Sequence, residues 1–408
     1  MSPYVVSAEL ESGINIITYQ PTGFTVDPNS AQGQRVRRLI FRIKELGIQT
    51  LILNFRGVMY TGTTNEVSSV VPENLWRDEE NRVLELADYA KSLGLQVAFR
   101  PILLVVGPNG EFPYQENGFY WWHGVIRPGD PQSWFNSYFN FHARYMILAQ
   151  KCQAVWYSIG AEMHSMTSGL GSRDPSRKLG YPDLWVDMIK KARPLLGNTK
   201  ITYGANYTDQ YVLEEGRRTW GGELEQWRYY LTQNMNSPEE VEHQNNLRRL
   251  WQSLDFIGID FYRSLGDEHT NYPADFTPLA NLLDDATQSL SSDLSLVLQE
   301  IDSTMGLSKK LFIQEIGYRS VEKSFVKPYL YEGDNVPINY IHQAAAWEAI
   351  LRSFWKPTTP LISGVGIWQV LLDEDTDMTV NGGFSPLGKK PSENVLKKYF
   401  IKEPVRRR

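Results

Sequence analysis

Glu162 and Glu315 each close an apolar, β-branched and aromatic run: Trp156-Tyr-Ser-Ile-Gly-Ala-Glu-Met163 and Leu311-Phe-Ile-Gln-Glu-Ile-Gly-Tyr318. Short apolar runs of this kind read as buried strands, so each delivers one carboxylate to a strand's C-terminal end. If both strands belong to one closed parallel barrel, the two carboxylates face each other across the same mouth. Such a pair is what glycosidic bond cleavage needs: roughly 5 Å apart for retention of configuration, and about 6.5–9.5 Å for inversion. Either glutamate taken alone also reads as a rim residue, solvated or salt-bridged. It is their matching contexts that point to chemistry.

The elements that must hold them alternate along the whole chain. Strand patterns run over Gly13–Tyr19, Thr50–Phe55, Leu95–Pro101, a fourth ending at Glu162, Lys200–Asn206, Asp255–Tyr262, a seventh ending at Glu315, and Val365–Val370. Helical periodicity fills the intervals at Gln34–Leu46, Asp78–Leu93, Asp130–Gln150, Tyr181–Leu196, Val241–Leu254, Leu279–Met305, Ile341–Trp355 and Glu393–Phe400. Strand–helix alternation implies right-handed crossovers and a parallel sheet, and eight such units close a (β/α)8 barrel. No repeat, low-complexity segment or linker divides residues 1–408, so a single catalytic domain is expected. Four stretches read as irregular: Met59–Val71, Val106–Gly129, Tyr207–Glu239 and Arg319–Pro337. All follow strand ends, the face where barrel sites form, and are expected to wall a cleft.

Composition narrows the class. The 408 residues are 42% hydrophobic and 22% charged, with net charge −6, a globular balance. The basic residues are dispersed apart from the Arg406–Arg408 tail, which argues against a nucleic-acid partner. No apolar run is long enough for a membrane span. The N-terminus shows no signal-peptide pattern, which fits a cytoplasmic protein or one whose export signal has been removed. Cys152 is the single cysteine, reads as an inert buried thiol and leaves no disulfide. The six histidines (His123, His142, His164, His243, His269 and His342) show no metal-ligand spacing. No phosphate-binding glycine loop and no serine or cysteine nucleophile motif is present. No metal or cofactor is expected, and a carbohydrate is the expected partner.

The chain resembles the clan of retaining (β/α)8 glycoside hydrolases, and within it glycoside hydrolase family 113, whose characterised members are mainly β-1,4-mannanases. The segments that carry the likeness are Val97-Ala-Phe-Arg-Pro101, Ser158-Ile-Gly-Ala-Glu-Met163, Ile201-Thr-Tyr-Gly-Ala-Asn206, Phe312-Ile-Gln-Glu-Ile-Gly317 and Phe384-Ser-Pro-Leu-Gly-Lys-Lys-Pro-Ser-Glu-Asn-Val-Leu396. Their order and spacing along most of the chain are more specific than any one of them. The resemblance implies Glu162 as acid/base and Glu315 as nucleophile. Most of the clan carries Asn just before the acid/base to hold the sugar 2-hydroxyl. Here that position is Ala161, as in family 113, and Asn206 becomes the candidate for the contact.

Other site expectations follow from strand-end placement. Tyr262 is expected to donate its hydroxyl to Glu315. Arg100 either supplies positive charge or binds substrate oxygens in bidentate fashion, or else forms a structural salt bridge. Glu162 must start protonated, and burial beside the Glu315 charge should raise its pKa. Trp368 is the expected floor under the reacting sugar, as in related barrels. Trp121 and Trp122 are expected either as outer sugar platforms or as packing beneath their own loop, and Tyr19 as a weaker platform. His164 either tunes the acid or is structural. The acidic loop from Asp373 to Asp377 reads as solvated, with cation or amino-sugar binding as the alternative. The rival functions are transglycosylation, cleavage of an amino-sugar polymer such as peptidoglycan or chitosan, and a non-catalytic sugar-binding barrel. Sugar identity, endo or exo action and oligomeric state are open at this level.

Overall fold

A computed structural model describes residues 10–169, 179–208, 212–214, 217–219, 222–330, 336–356, 362–373 and 382–401. Eight parallel strands close into a ring: β1 (Glu11–Ile17), β2 (Thr50–Asn54), β3 (Gln96–Phe99), β4 (Trp156–Ala161), β5 (Lys200–Thr208), β6 (Ile257–Tyr262), β7 (Leu311–Ile316) and β8 (Ile362–Leu371). Each pairs with its sequence neighbour, and β8 returns to β1. This is the expected (β/α)8 barrel.

The helices form for the reasons their sequences give. In Ala31–Glu45, Val36, Leu39, Ile40 and Ile43 make one buried stripe, and the Ser30 side chain accepts the Gly33 N–H at the N-terminus. In Pro238–Ser253, Ser237 and Glu240 form a reciprocal capping box. The helix Phe276–Met305 ends at Gly306, whose left-handed conformation suits a residue without a Cβ.

Alternation along each strand sends every second side chain into the barrel. The low layer is apolar, a buried cluster of Ile52, Ala98, Trp156 and Phe312. Above it the residues turn polar: Asn15, Asn54, Thr202, Asp260 and Gln314 are all buried. Asn15 donates to the carbonyls of Gln314 and Ile367, and Asn54 donates to Asn15 Oδ1, so the polar layer knits β1, β2, β7 and β8 together. Glu315 is the exception to simple alternation. The register between β6 and β7 shifts after Ile259/Ile313 and sets Glu315 opposite Asp260. This shift brings the carboxyl inward beside Gln314.

Several expected boundaries move. Trp368 lies within β8, not at its end, because β8 runs on to Leu371. β5 continues past Asn206 to Thr208. Tyr19 falls beyond β1. Three stretches expected to be irregular carry structure. Arg56–Tyr60, Ser68–Ser69 and Ile102–Val106 form a small sheet beside the barrel mouth. Tyr114–Glu116 pairs with Phe119–Trp121 as a hairpin. Glu223–Thr232 is a helix. The first two add strands with no intervening helix and the third adds an extra helix, so a strand–helix rhythm does not reveal them.

Packing inside the barrel sets a test. A Cβ on Gly366 would lie 2.5 Å from the Gln314 carbonyl oxygen and 2.8 Å from Ile52 Cδ1. Gly366→Ala is expected to lower stability by about 1–3 kcal/mol, the usual range for overpacking, read as a lower denaturant midpoint at unchanged slope.

Candidate active site

Glu162 and Glu315 line one cavity of about 270 Å³, together with Trp122, His123, Asn206, Tyr262 and Trp368. Residues that are remote in the polypeptide therefore converge on one space at the C-terminal end of the barrel.

The turn after β4 aims Glu162. Its φ is +52°, in the left-handed region that non-glycine residues rarely occupy. Two bonds pin that conformation. The Glu162 N–H donates to the Gly204 carbonyl at 2.7 Å, and the Met163 N–H donates to the Tyr203 hydroxyl at 2.7 Å. A strained backbone held by its surroundings is characteristic of sites where a side chain must be aimed. The carboxyl then meets Asn206, whose Nδ2 donates to Oε1, and His123, whose Nε2 lies 3.4 Å from Oε2.

Glu315 has different company. The Tyr262 hydroxyl donates to Oε1 at 2.5 Å, as expected, and Arg100 Nη2 lies 2.7 Å from Oε2. The same Nη2 reaches Asp260 Oδ2 at 2.5 Å, and Nη1 donates to Asn54 Oδ1 at 3.1 Å. Arg100 is 1% exposed and Asp260 fully buried. Arg100 thus supplies charge from beneath Glu315. It does not line the cavity, which leaves no room for the bidentate substrate contact that was its alternative.

These surroundings set the proton affinities. Arg100 is pulled down by burial, but Asp260, Glu315 and Glu162 outweigh this and raise it well above its usual value. Burial pushes Asp260 well above the carboxylate range; Arg100 opposes this, while Glu315 and Glu162 add to it. Burial also raises Glu315, against the pull of Arg100 and with the repulsion of Glu162. Glu162 departs from expectation. Burial does push it up, but the bond and charge of His123, the bond from Asn206 and the Arg100 charge together hold it below the usual value. The part owed to the His123 charge lapses when that imidazole is neutral.

A further carboxyl stands behind the site. Glu223 is completely buried, accepts from the Thr167 and Tyr203 hydroxyls, and takes the Asn206 N–H at 3.3 Å. Burial raises it to about 8 against those bonds. Through Tyr203 and Asn206 it touches two of the groups that hold Glu162 in place.

The remaining candidates divide. Trp122 and Trp368 line the catalytic cavity. Trp121 is buried against its loop, with Phe119 at 4.7 Å and Gly62 pressed on the indole, so the packing alternative describes it. His164 is buried at 5.8 Å from the Trp122 ring, edge on. Tyr19 lines a second, adjoining cavity. Of the acidic loop, only Asp373 is among the described residues, and it accepts from the Thr18 hydroxyl and the Tyr19 N–H. The Arg406–Arg408 tail lies outside them. Sequence reasoning passed over His123, Asp260 and Glu223. Asp260 carried a signal, an acidic residue inside the buried run Ile257-Gly-Ile-Asp-Phe. His123 and Glu223 sit in loop excursions with none. Among the described residues no group of side chains could hold a metal ion, and no helix is long and apolar enough to cross a membrane.

Comparison with known proteins gives one family. Residues 21–220 match the model of Glycoside Hydrolase Family 113. A β-1,4-mannanase of that family superposes with a TM-score of 0.60 at 20% identity, covering 97% of this chain and 100% of the other. The family 113 β-mannanase from Alicyclobacillus acidocaldarius superposes at 0.62 and 18% identity, covering 96% and 97%. A family 5 mannosidase from Rhizomucor miehei superposes at 0.53 and 10% identity, covering 96% and 92%. At these identities the structures speak for the barrel. No curated protein matches the sequence. The family match over residues 21–220 supports a glycoside hydrolase, an enzyme class that acts on carbohydrate.

Glu223 offers a check on the buried electrostatics. Its folded pKa of about 8 exceeds its ordinary value of 4.5, so between those values the folded state holds the proton more tightly than the unfolded chain. Stability then falls as pH rises through that window. Glu223→Gln removes the titration. The stability of the wild type relative to the variant, from denaturant midpoints, is expected to decline from about pH 4.5 to about pH 8.

Proposed function

We propose that this family 113-like glycoside hydrolase cleaves β-linked glycans of the mannan type with net retention, Glu162 serving as acid/base and Glu315 as nucleophile. One observation carries the reading: the two carboxyls share a cavity but not an environment. Glu315 is clamped by a permanent cation and a phenol. Glu162 rests on a neutral amide and a titratable imidazole. The assignment rests on these contacts and on the family likeness: in the resting site the shifts run the other way, Glu315 up and Glu162 down, so the reaction requires them to be redistributed when substrate binds.

The resting charges follow. Three carboxyls crowd one guanidinium, and the fully enclosed Asp260 is the one driven furthest toward protonation. Arg100 Nη2 contacts both Asp260 and Glu315, and its charge opposes the burial that raises Glu315; attack requires that carboxyl in its ionised form. Coupled groups of this kind share protons as a set, so Asp260, Glu315 and Glu162 titrate together around Arg100. Proton donation requires Glu162 protonated, which the exclusion of water by bound substrate favours.

In the first step Glu315 Oε attacks the anomeric carbon. The bond to the leaving oxygen breaks, and the Glu162 proton goes to that oxygen. Esterification removes the Glu315 charge, so the repulsion on Glu162 falls and its carboxylate becomes a base. In the second step a water oxygen attacks the anomeric carbon, its proton passes to Glu162, and the bond to Glu315 breaks. Trp368 and Tyr262 flank Glu315 in the cavity wall and set the plane against which the reacting ring lies. Asn206, proposed from sequence for the 2-hydroxyl, gives one of its two amide N–H groups to Glu162 in the resting site.

Substitution separates the roles. Glu315→Gln is expected to abolish turnover of β-1,4-manno-oligosaccharides while leaving their affinity within a few-fold, by calorimetry. Glu162→Ala is expected to lose about 10²–10⁴-fold in kcat on such substrates, yet to keep most of the wild-type rate of the first step on aryl β-glycosides with very good leaving groups. Equal losses on both substrate types would remove Glu162 from proton donation.

A further inference from the structure

A second cavity of about 810 Å³ opens beside the catalytic one. The two share Trp368, Phe112 and Tyr120 in their walls. The second lacks Glu162 and Asn206 and extends instead past Trp368 to Tyr19, Arg56 and Tyr60. The leaving group must depart on the side of the proton donor, Glu162. The part of the substrate that remains bonded to Glu315 therefore runs the other way, across Trp368 and into this larger space.

Its lining is unusual for a protein surface. Tyr19, Tyr60, Phe112 and Tyr120 are all exposed rings, and exposed aromatic faces gathered in one concavity mark a binding site. The small sheet of Arg56–Tyr60 and Ile102–Val106 builds the far wall. Among the described lining residues Arg56 is the one charged side chain. Its guanidinium stacks over the Tyr19 ring at 4.9 Å. Two carboxylates act on it across space, Asp373 and Glu79. Both are held by other donors, Asp373 by Thr18 and Tyr19 and Glu79 by the Thr22 N–H. Among the described residues Arg56 forms no ion pair, in contrast to Arg100. A half-buried guanidinium that makes no ion pair among the described residues keeps its N–H fork for a ligand's oxygens.

We propose that this cavity binds the non-reducing-side sugar units of the substrate and that Arg56 selects a unit bearing a carboxylate, so that the glycan is acidic beyond the reacting sugar. The inference rests on the glycosidase reading and refines it. Arg56 is the one charge among the described lining residues, and its planar fork matches a hexuronic acid carboxylate, held against a platform of aromatic rings.

The test uses a matched pair of nitrophenyl β-trisaccharides, identical except that the non-reducing terminal unit is a hexose in one and the corresponding hexuronic acid in the other. The acidic substrate is expected to show about a ten-fold higher kcat/KM, the scale of one charge-assisted contact. That preference should shrink as salt screens it and fall to near unity in Arg56→Gln. A neutral substrate used as well or better by the wild type, or a preference that survives both salt and Arg56→Gln, would overturn the proposal. Titrating Glu315→Gln with the two free trisaccharides reads the same preference without turnover. If neither glycoside is cleaved but the acidic ligand binds tighter, the hydrolase reading fails and the cavity assignment stands. Turnover without preference leaves the hydrolase reading and removes the assignment.

Discussion

The Arg100 guanidinium, enclosed in the barrel between Asp260 and Glu315, is the constraint on which the rest of the site depends. Taking an ion this far from water costs several kcal/mol even after relaxation, and the structure offsets that cost through a ladder of partners. Asn15 holds backbone carbonyls of β7 and β8, Asn54 holds Asn15, and Arg100 holds Asn54. The closed ring of strands brings these four groups within reach of one another. The arginine then fixes one oxygen of Glu315 at 2.7 Å while Tyr262 fixes the other at 2.5 Å. The carboxyl so held has little freedom, which is what attack on a single carbon requires.

Around that centre the site is asymmetric. On the Glu315 side the supports are rigid and permanently charged. On the Glu162 side they are neutral or titratable: Asn206, His123 and, one layer back, Tyr203 and Glu223. A group that must give up and regain a proton needs surroundings that tolerate both states, whereas a nucleophile needs one. The strained backbone at Glu162, pinned from β5, shows that this carboxyl is placed by its neighbours and not by its own strand geometry.

Much of this was legible in the residues. The eight strands lie within a few residues of their sequence patterns, because apolar β-branched runs and helical stripes are strong signals when they alternate this regularly. The convergence of Glu162 and Glu315 followed from strand-end placement once the ring was closed, and the donation from Tyr262 followed from its seat on the neighbouring strand. Three kinds of feature stayed hidden. Register shifts are one: the irregularity between β6 and β7 that turns Glu315 inward leaves no mark in composition. Excursions are another: His123 reaches the site from the segment after the third barrel strand, and Glu223 from the start of a short helix after β5, neither marked by periodicity. Competition between charges is the third. Burial of Glu162 beside another carboxylate suggested a raised pKa, but His123, invisible as a neighbour in the sequence, reverses the balance. Trp121 and Trp122 show the same limit in packing. Adjacent and chemically identical, they part because one side of the loop faces Gly62 and the other faces the cavity.

The central claim is that Glu315, held by Arg100, makes the covalent bond to the sugar. Incubation with a 2-deoxy-2-fluoro glycosyl fluoride, which forms such a bond readily and hydrolyses slowly, followed by mass spectrometry of the digested protein, tests it directly. The account predicts one stoichiometric glycosyl adduct on the peptide that contains Glu315. An adduct on a different residue, or hydrolysis of the reagent with inverted configuration and no adduct, would contradict it.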